Sequence, residues 1–236
     1  MYARGALRPD PVPVTPDRIG AVIDYIPRGH PNRPGIKLES LQALVFHYTA
    51  NDAPGATDTA NVAYIGRPYE RNSAGEFFEA GSKKSFRYGS AHVFADYDSL
   101  TECIPLDEVA WGCGDRHLPY SNGYKGQQKV AAELFHHRQN YRTISIEICN
   151  NDILPGDQDW DAAADRAAEW AAWFLNSRGL HVDLHASLNP QRIPPEDGKL
   201  LLLRHYDLTG KICPKPFVDD PVAWIGFVED VYGRLS

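Results

Sequence analysis

The sequence predicts an α/β fold, a single domain with a central mixed β-sheet flanked by helices. Three observations carry that reading. Runs with the two-residue period of strands alternate along the chain with segments of 3–4 spacing, the pattern of sheet and helix layers packed on one another. Two of the strand runs are separated only by Asp98-Ser99, so at least one antiparallel hairpin interrupts the helix-linked order. Beyond the N-terminal segment there is no internal repeat and no low-complexity linker, and 236 residues at 43% hydrophobic make one large core rather than two.

Seven of the 18 prolines fall within the first 34 residues; each fixes φ and removes a backbone donor, so residues 1–35 read as an extended Pro-rich arm. One short helix is expected there, Asp17 to Tyr25, with Thr15 as cap and Pro16 at the first helical position. The regular body, residues 36–236, begins near Ile36. Leu41–Tyr48 is mostly apolar, as a strand buried on both faces should be. Thr57–Ile65 reads as a helix, and Ala91–Tyr97 with Leu100–Ile104 as the hairpin. Gln127–Arg138 is a further predicted helix. Thr143–Cys149 alternates, with Ile144, Ile146 and Ile148 on one face and Ser145, Glu147 and Cys149 on the other. Trp160–Asn176 keeps Trp160, Ala163, Ala167, Trp170 and Phe174 on one helical face, with Asp159 to start it and Gly179 to end it. Leu200–Arg204 is a short apolar strand. Pro221–Val231 is a helix capped by Asp220.

Composition excludes several functions. Lys plus Arg is 24 against 31 Asp plus Glu, a net charge of -7, the wrong sign for a nucleic-acid footprint or for adhesion to a polyanion. No apolar run approaches the ~20 residues that span a bilayer. Met1-Tyr2-Ala3-Arg4 leads into proline rather than an apolar leader core. A monomer made in the cytoplasm, without membrane insertion, is the expectation. Four cysteines without a CxxC pair are too few for a disulfide scaffold.

The chemistry concentrates near the C-terminus, in His205-Tyr206-Asp207-Leu208-Thr209-Gly210-Lys211-Ile212-Cys213-Pro214. An imidazole and a thiol eight residues apart, across a loop directly after a strand, are preferred zinc ligands; three protein ligands leave a fourth position for water. His47, at the end of a buried strand, is the natural third, because sites collect at strand ends in α/β sheets. Taken singly, His47 also reads as a hydrogen-bonded structural residue and Cys213 as a small buried hydrophobe. Glu147 opposite an all-Ile face is either exposed on an antiparallel strand or held in a site where a shifted pKa is useful. His136-His137 reads as solvated helix surface, and Cys103, Cys113 and Cys149 as buried thiols.

Five blocks occur in order: His47-Tyr48-Thr49, Gly89 to Asp96, Ile104 to Trp111, Ile144 to Cys149, and His205 to Pro214. Together they resemble the type-2 family of zinc-dependent N-acetylmuramoyl-L-alanine amidases, relatives of the peptidoglycan-recognition proteins, from Leu41 to Phe217. The branch most similar is that of phage and prophage endolysins, where a block like Glu108-Val109-Ala110-Trp111 precedes a Gly-Asp pair, here Gly114-Asp115. The resemblance implies one Zn²⁺ held by His47, His205 and Cys213, with Glu147 and Lys211 as catalytic residues. Tyr48, His92 and Trp111 fall where substrate contacts are expected, although Trp111 suits a core role equally. Asp207 either orients a ligand imidazole or caps the loop. The implied partner is bacterial peptidoglycan, and the implied reaction cuts the amide between the N-acetylmuramic acid lactyl group and L-alanine, after release of the enzyme to the cell wall. A cytoplasmic amidase recycling soluble muropeptides and a non-catalytic peptidoglycan-binding protein are the competing readings. Two departures from the family pattern stand out: an insertion at about residues 117–141, and Gly112-Cys113-Gly114 after Trp111, where the family has a histidine.

Overall fold

The computed structural model describes residues 21–114, 134–150, 158–190 and 195–235. Its strands are β1 (Ala21–Ile23), β2 (Ala43–Tyr48), β3 (Tyr69–Arg71), β4 (Phe77–Glu79), β5 (Val93–Ala95), β6 (Leu100–Glu102), β7 (Thr143–Ile148), β8 (His181–Val182) and β9 (Lys199–Arg204). The helices are α1 (Asp58–Ile65), α2 (Gln158–Ser177), α3 (Leu184–Leu188), α4 (His205–Thr209), α5 (Lys215–Asp219) and α6 (Pro221–Gly233). Seven strands form one sheet in the order β1-β6-β5-β7-β2-β9-β8, and β3-β4 form a separate hairpin. Only β5-β6 is antiparallel within the large sheet; β7-β2-β9 at its centre is all parallel. Among the described residues no helix is long and apolar enough to cross a membrane.

The two faces of the sheet are different, and the difference places the site. In β2 and β7, Leu44, Phe46, Ile144, Ile146 and Ile148 point to one side and pack on α2 and α6. The apolar stripe of α2 lies buried there, from Trp160 to Phe174, and Phe46 meets Phe227 edge-on at 4.7 Å, a contact worth about 1 kcal/mol beyond its buried area. The Asp220 carboxylate caps α6 by accepting from the Val222 and Ala223 N–H groups. On the other side, Ala43, Val45, Leu201 and Leu203 form a smaller core with Cys113, Phe135 and Leu208. His47 stands on this second side, at the C-terminal end of β2.

Several sequence expectations change. Within Asp17–Tyr25 the described part is not helical: Ala21–Ile23 pairs in parallel with Leu100–Glu102, because β6 offers an open backbone edge that a short β-branched segment satisfies. Regular structure therefore begins before Ile36, and residues 21–35 lie against the sheet, with Ile26 and Asn32 buried. Residues 1–20 and 115–133 lie outside the described residues, so the start of the arm and most of the expected insertion do too. Of the helix expected at Gln127–Arg138, residues 134–137 form a turn instead, with positive φ at His136 and His137; both histidines are exposed. β7, for which an antiparallel setting was open, is parallel to both neighbours. The β3-β4 hairpin has no counterpart among the sequence expectations, because its strands are only three residues long.

Candidate metal centre

Parallel pairing puts His47 directly beside Glu147, and paired residues of adjacent strands share a face. On the other flank of β2, Phe46 pairs with Arg204, so His205, the next residue, arrives level with His47 as the chain leaves the sheet. The chain then turns back on itself within a few residues. Asp207 accepts from the Arg204 backbone N–H at 2.8 Å and from the Arg204 guanidinium at 2.8 and 3.1 Å, starting α4. Gly210 ends it in the left-handed conformation, φ 75°, where a side chain would be strained. The Tyr206 N–H donates to the Cys213 carbonyl at 2.8 Å, and Cys213 is brought back to His47.

His47, His205 and Cys213 are all buried, and their donor atoms lie within 4.8 Å of one another. The two Nδ1 atoms face each other at 3.1 Å, and Cys213 Sγ lies 3.9 Å from His47 Nδ1. Burial holds His47 well below the ordinary imidazole range, with His205 and Lys211 adding to the shift. Burial, then Lys211, brings His205 down to about 3. Both rings are therefore neutral at pH 7 and present lone pairs, the form that ligates metal. Burial, with Glu147 adding to it, pushes the Cys213 thiol up to about 12, while Lys211 and the Tyr48 backbone N–H oppose. Such a thiol gives up its proton when a cation takes its place. Two imidazoles and a thiol could hold a soft or borderline metal ion.

Glu147 stands alongside. Its Oε2 is buried with no hydrogen-bond partner among the described residues, an arrangement that costs about 1–3 kcal/mol. Burial raises its carboxyl to about 7, with Lys211 pulling the other way. Lys211 itself is exposed, and its charge reaches both histidines, Glu147 and Cys213.

The N-acetylmuramoyl-L-alanine amidase family model matches residues 37–216. The chain belongs to this family. Among amidase relatives, BlyA of Bacillus subtilis is 30% identical over 215 residues, 90% of this chain and 47% of BlyA. The amidase CwlL of Bacillus licheniformis is 27% identical, covering 86% of this chain and 44% of CwlL. The chain thus spans about half the length of the curated relatives it matches. The solved catalytic domain of XlyA superposes with a TM-score of 0.57 at 24% identity, over 89% of this chain and 98% of that domain. The Staphylococcus aureus hydrolase AmiA, solved with its ligand, gives 0.53 at 18%, over 92% and 86%. Both likenesses extend to the fold.

Within this amidase fold the other expected site residues scatter. His92 is fully buried: its Nδ1 accepts from the Ser145 N–H at 3.0 Å and its Nε2 lies 2.8 Å from the Glu108 carbonyl. Both ring nitrogens serve the backbone, so His92 ties β7 to the 104–111 loop and neither nitrogen is left over for a ligand. Tyr48 turns its ring to the helix side, edge-on to Trp160; its backbone N–H reaches Cys213, and burial, then the Cys213 charge, raises the pKa of its hydroxyl. The half-buried Trp111 donates its indole N–H to the Pro31 carbonyl at 3.0 Å and holds residues 21–35 in place. Asp207 is committed to Arg204, so it caps the loop and orients no imidazole.

Sequence reasoning misses two residues. Cys113 Sγ lies 3.8 Å from His47 Nε2 and 3.5 Å from Ser145 Oγ, behind the ring from Cys213. Its neighbour Gly112 carries the signal: a Cβ there would stand 2.3 Å from Ser145 Oγ, so only glycine lets this loop press onto β7. Thr49 enters the sequence reading only as part of a motif, yet its Oγ1 is buried without a partner among the described residues. It lines a cavity of about 370 Å³ that runs from the end of β2 to Tyr64 on α1.

Proposed function

We propose that this chain is a zinc-dependent peptidoglycan hydrolase that cleaves the amide between the lactyl group of N-acetylmuramic acid and the L-alanine of the stem peptide. The observation that carries the reading is the convergence of two neutral imidazoles and a thiol on one point, with an unpartnered carboxyl on the adjacent strand. The family and the names of its relatives, all N-acetylmuramoyl-L-alanine amidases, support it.

The residues fit zinc. Imidazole and thiolate suit Zn²⁺ and disfavour Mg²⁺ or Ca²⁺. Two nitrogen ligands on a tetrahedron with ~2.0–2.1 Å bonds stand about 3.3 Å apart, close to the 3.1 Å between the two Nδ1 atoms. His47, His205 and Cys213 would hold the ion. When bound, zinc lowers the pKa of water to about 7 and polarises the scissile carbonyl.

The chain's own residues do the rest. Glu147 accepts a proton at the unpartnered Oε2, and its raised pKa lets the same group return that proton to the departing L-alanine nitrogen. The Lys211 ammonium faces the negative charge that develops on the scissile carbonyl oxygen, a donor position worth about 3 kcal/mol. Arg204 and Asp207 fix the loop that carries His205, Lys211 and Cys213, so one ion pair sets the spacing of three functional groups.

The phage or prophage setting rests on the Glu108-Val109-Ala110-Trp111 block ahead of Gly114-Asp115. In that setting a monomer made in the cytoplasm acts on the wall after release. The test is digestion of purified peptidoglycan by wild type and Glu147→Gln, with and without chelator, scoring free L-alanine amino groups against reducing sugars. Metal-dependent release of amino groups that the variant lacks is the expected result. Binding of zinc and peptidoglycan without any release would overturn the enzyme reading.

A further inference from the structure

The β3-β4 hairpin plays no part in the chemistry above, yet it and its flanks carry a cluster of exposed aromatic rings. Tyr64 (55% exposed), Tyr88 (54%) and Tyr69 (37%) stand open to solvent. They are linked rather than scattered. The Arg67 guanidinium lies 4.3 Å from the Tyr64 ring centroid and 4.5 Å from that of Phe86. Phe86 meets Tyr88 edge-on at 6.0 Å, and Phe77 meets Tyr69 at 5.5 Å and Tyr88 at 6.3 Å. An exposed apolar cluster of this kind, rimmed by polar groups, marks a contact surface.

Its charge differs from that of the molecule. Residues 66–88 carry five cationic and three acidic side chains, on a chain of net charge -7. The acids are engaged locally: Glu79 with Arg67, Glu76 with Asn72, and Glu70 with the Gly81 N–H. Lys83, Lys84 and Arg87 are exposed and make no ion pair among the described residues. The surface also adjoins a cavity on the way to the strand that carries His47, because Tyr64 belongs both to the ladder and to the cavity lined by Thr49 at the end of β2.

We propose that this hairpin is a docking platform for the glycan strand of peptidoglycan, with tyrosine rings stacking on sugar faces and Lys83 and Lys84 meeting stem-peptide carboxylates. The proposal rests on the wall-hydrolase reading for its ligand. Two features choose this occupant: flat aromatic faces with amphipathic edges suit a sugar strand, and unpaired cations beside them suit a strand that bears acids. A platform beyond the cleavage point would hold the strand while the scissile amide lies at the zinc residues.

The experiment measures binding of the full chain in a Glu147→Gln background, so that no substrate is consumed. Ligands are naked glycan strands stripped of stem peptides, and sacculi cleared of phosphate-containing wall polymers. Tyr88→Ala and Tyr69→Ala are each expected to bind naked strands about five-fold more weakly, in the range one aromatic contact supplies, while Tyr88→Phe binds as the parent does. Lys83→Gln with Lys84→Gln should weaken binding to sacculi, and weaken binding to naked strands less, because those keep only their lactyl carboxylates. Unaltered binding of naked strands by the alanine variants would overturn the proposal. So would binding that disappears when phosphate polymers are removed, since the occupant would then be that polymer. Release of amino groups by the wild-type chain is scored separately: hydrolysis without tyrosine-dependent binding removes the platform alone, and tyrosine-dependent binding without hydrolysis removes the amidase reading alone.

Discussion

His92 and the His47–His205 pair are buried equally deeply on the same side of one sheet, and burial lowers the pKa of each. Their surroundings are opposite. Each nitrogen of His92 is held by a backbone group of a different segment. The Nδ1 atoms of His47 and His205 face one another beside the Cys213 thiol, the Cys113 backbone also reaches the His205 ring, and His205 Nε2 is buried without a partner among the described residues. Burial therefore does not distinguish a structural histidine from a ligand. Accounting for both ring nitrogens does: His205 keeps one that is buried and unpartnered among the described residues, whereas both of His92 are committed to the backbone.

The largest effect that tests this contrast is on metal content. Cys213→Ser or His205→Ala should abolish stoichiometric zinc binding, measured by elemental analysis and by the loss of zinc-induced stabilisation. His92→Gln should retain zinc and lose about 1–3 kcal/mol of stability for the backbone groups it strands. Zinc loss in the His92 variant would break the distinction.

Next is the Glu147 carboxyl, proposed above to carry the proton. Glu147→Gln should lower hydrolysis by about 10²–10⁴-fold with zinc still bound. Retained activity would move the proton-transfer role elsewhere.

The third effect is on pH. In metal-free protein, His92 (about 4) and His205 (about 3) have folded values below the unfolded value near 6.5. The unfolded chain then binds more protons, so stability is full above about 6.5 and is lost as pH falls toward 4 and 3. Glu147, raised from 4.5 to about 7, acts in the opposite sense and lowers stability as pH rises through that interval. Chemical denaturation across pH 4–8 should show the histidine trend dominating, with a shallower slope in His92→Gln and a steeper one in Glu147→Gln.

The smallest effect concerns the loop behind His47. Gly112→Ala must displace the chain from Ser145 and should cost about 1–3 kcal/mol of stability. An unchanged melting temperature would show that the loop yields freely and that Cys113 is not held against His47.

Much of this is legible in the residues. The alternation of Thr143–Cys149, the stripe of Trp160 to Phe174 and the Asp220-Pro221 start of α6 each arise from a local period or cap, and each stands where expected. The candidate donor types are legible too, in an imidazole and a thiol eight residues apart across a Gly-containing loop, though the pair is weak until His47 joins it. The misreadings come where a distant partner outweighs local preference. Ala21–Ile23 is a strand because β6 supplies an open edge.

The sequence by itself determined the α/β class, the element pattern and the chemical identity of the donors, because those depend on side-chain type and short-range spacing. Tertiary packing is what gathers His47 and His205 with Cys213 while His92 becomes a strut, commits Asp207 to Arg204, and sets the Tyr48 ring against Trp160. Each of those turns on what lies across a strand boundary or a long loop, and hydrogen-bond partners at such distances are fixed by sheet register and packing rather than by neighbours along the chain.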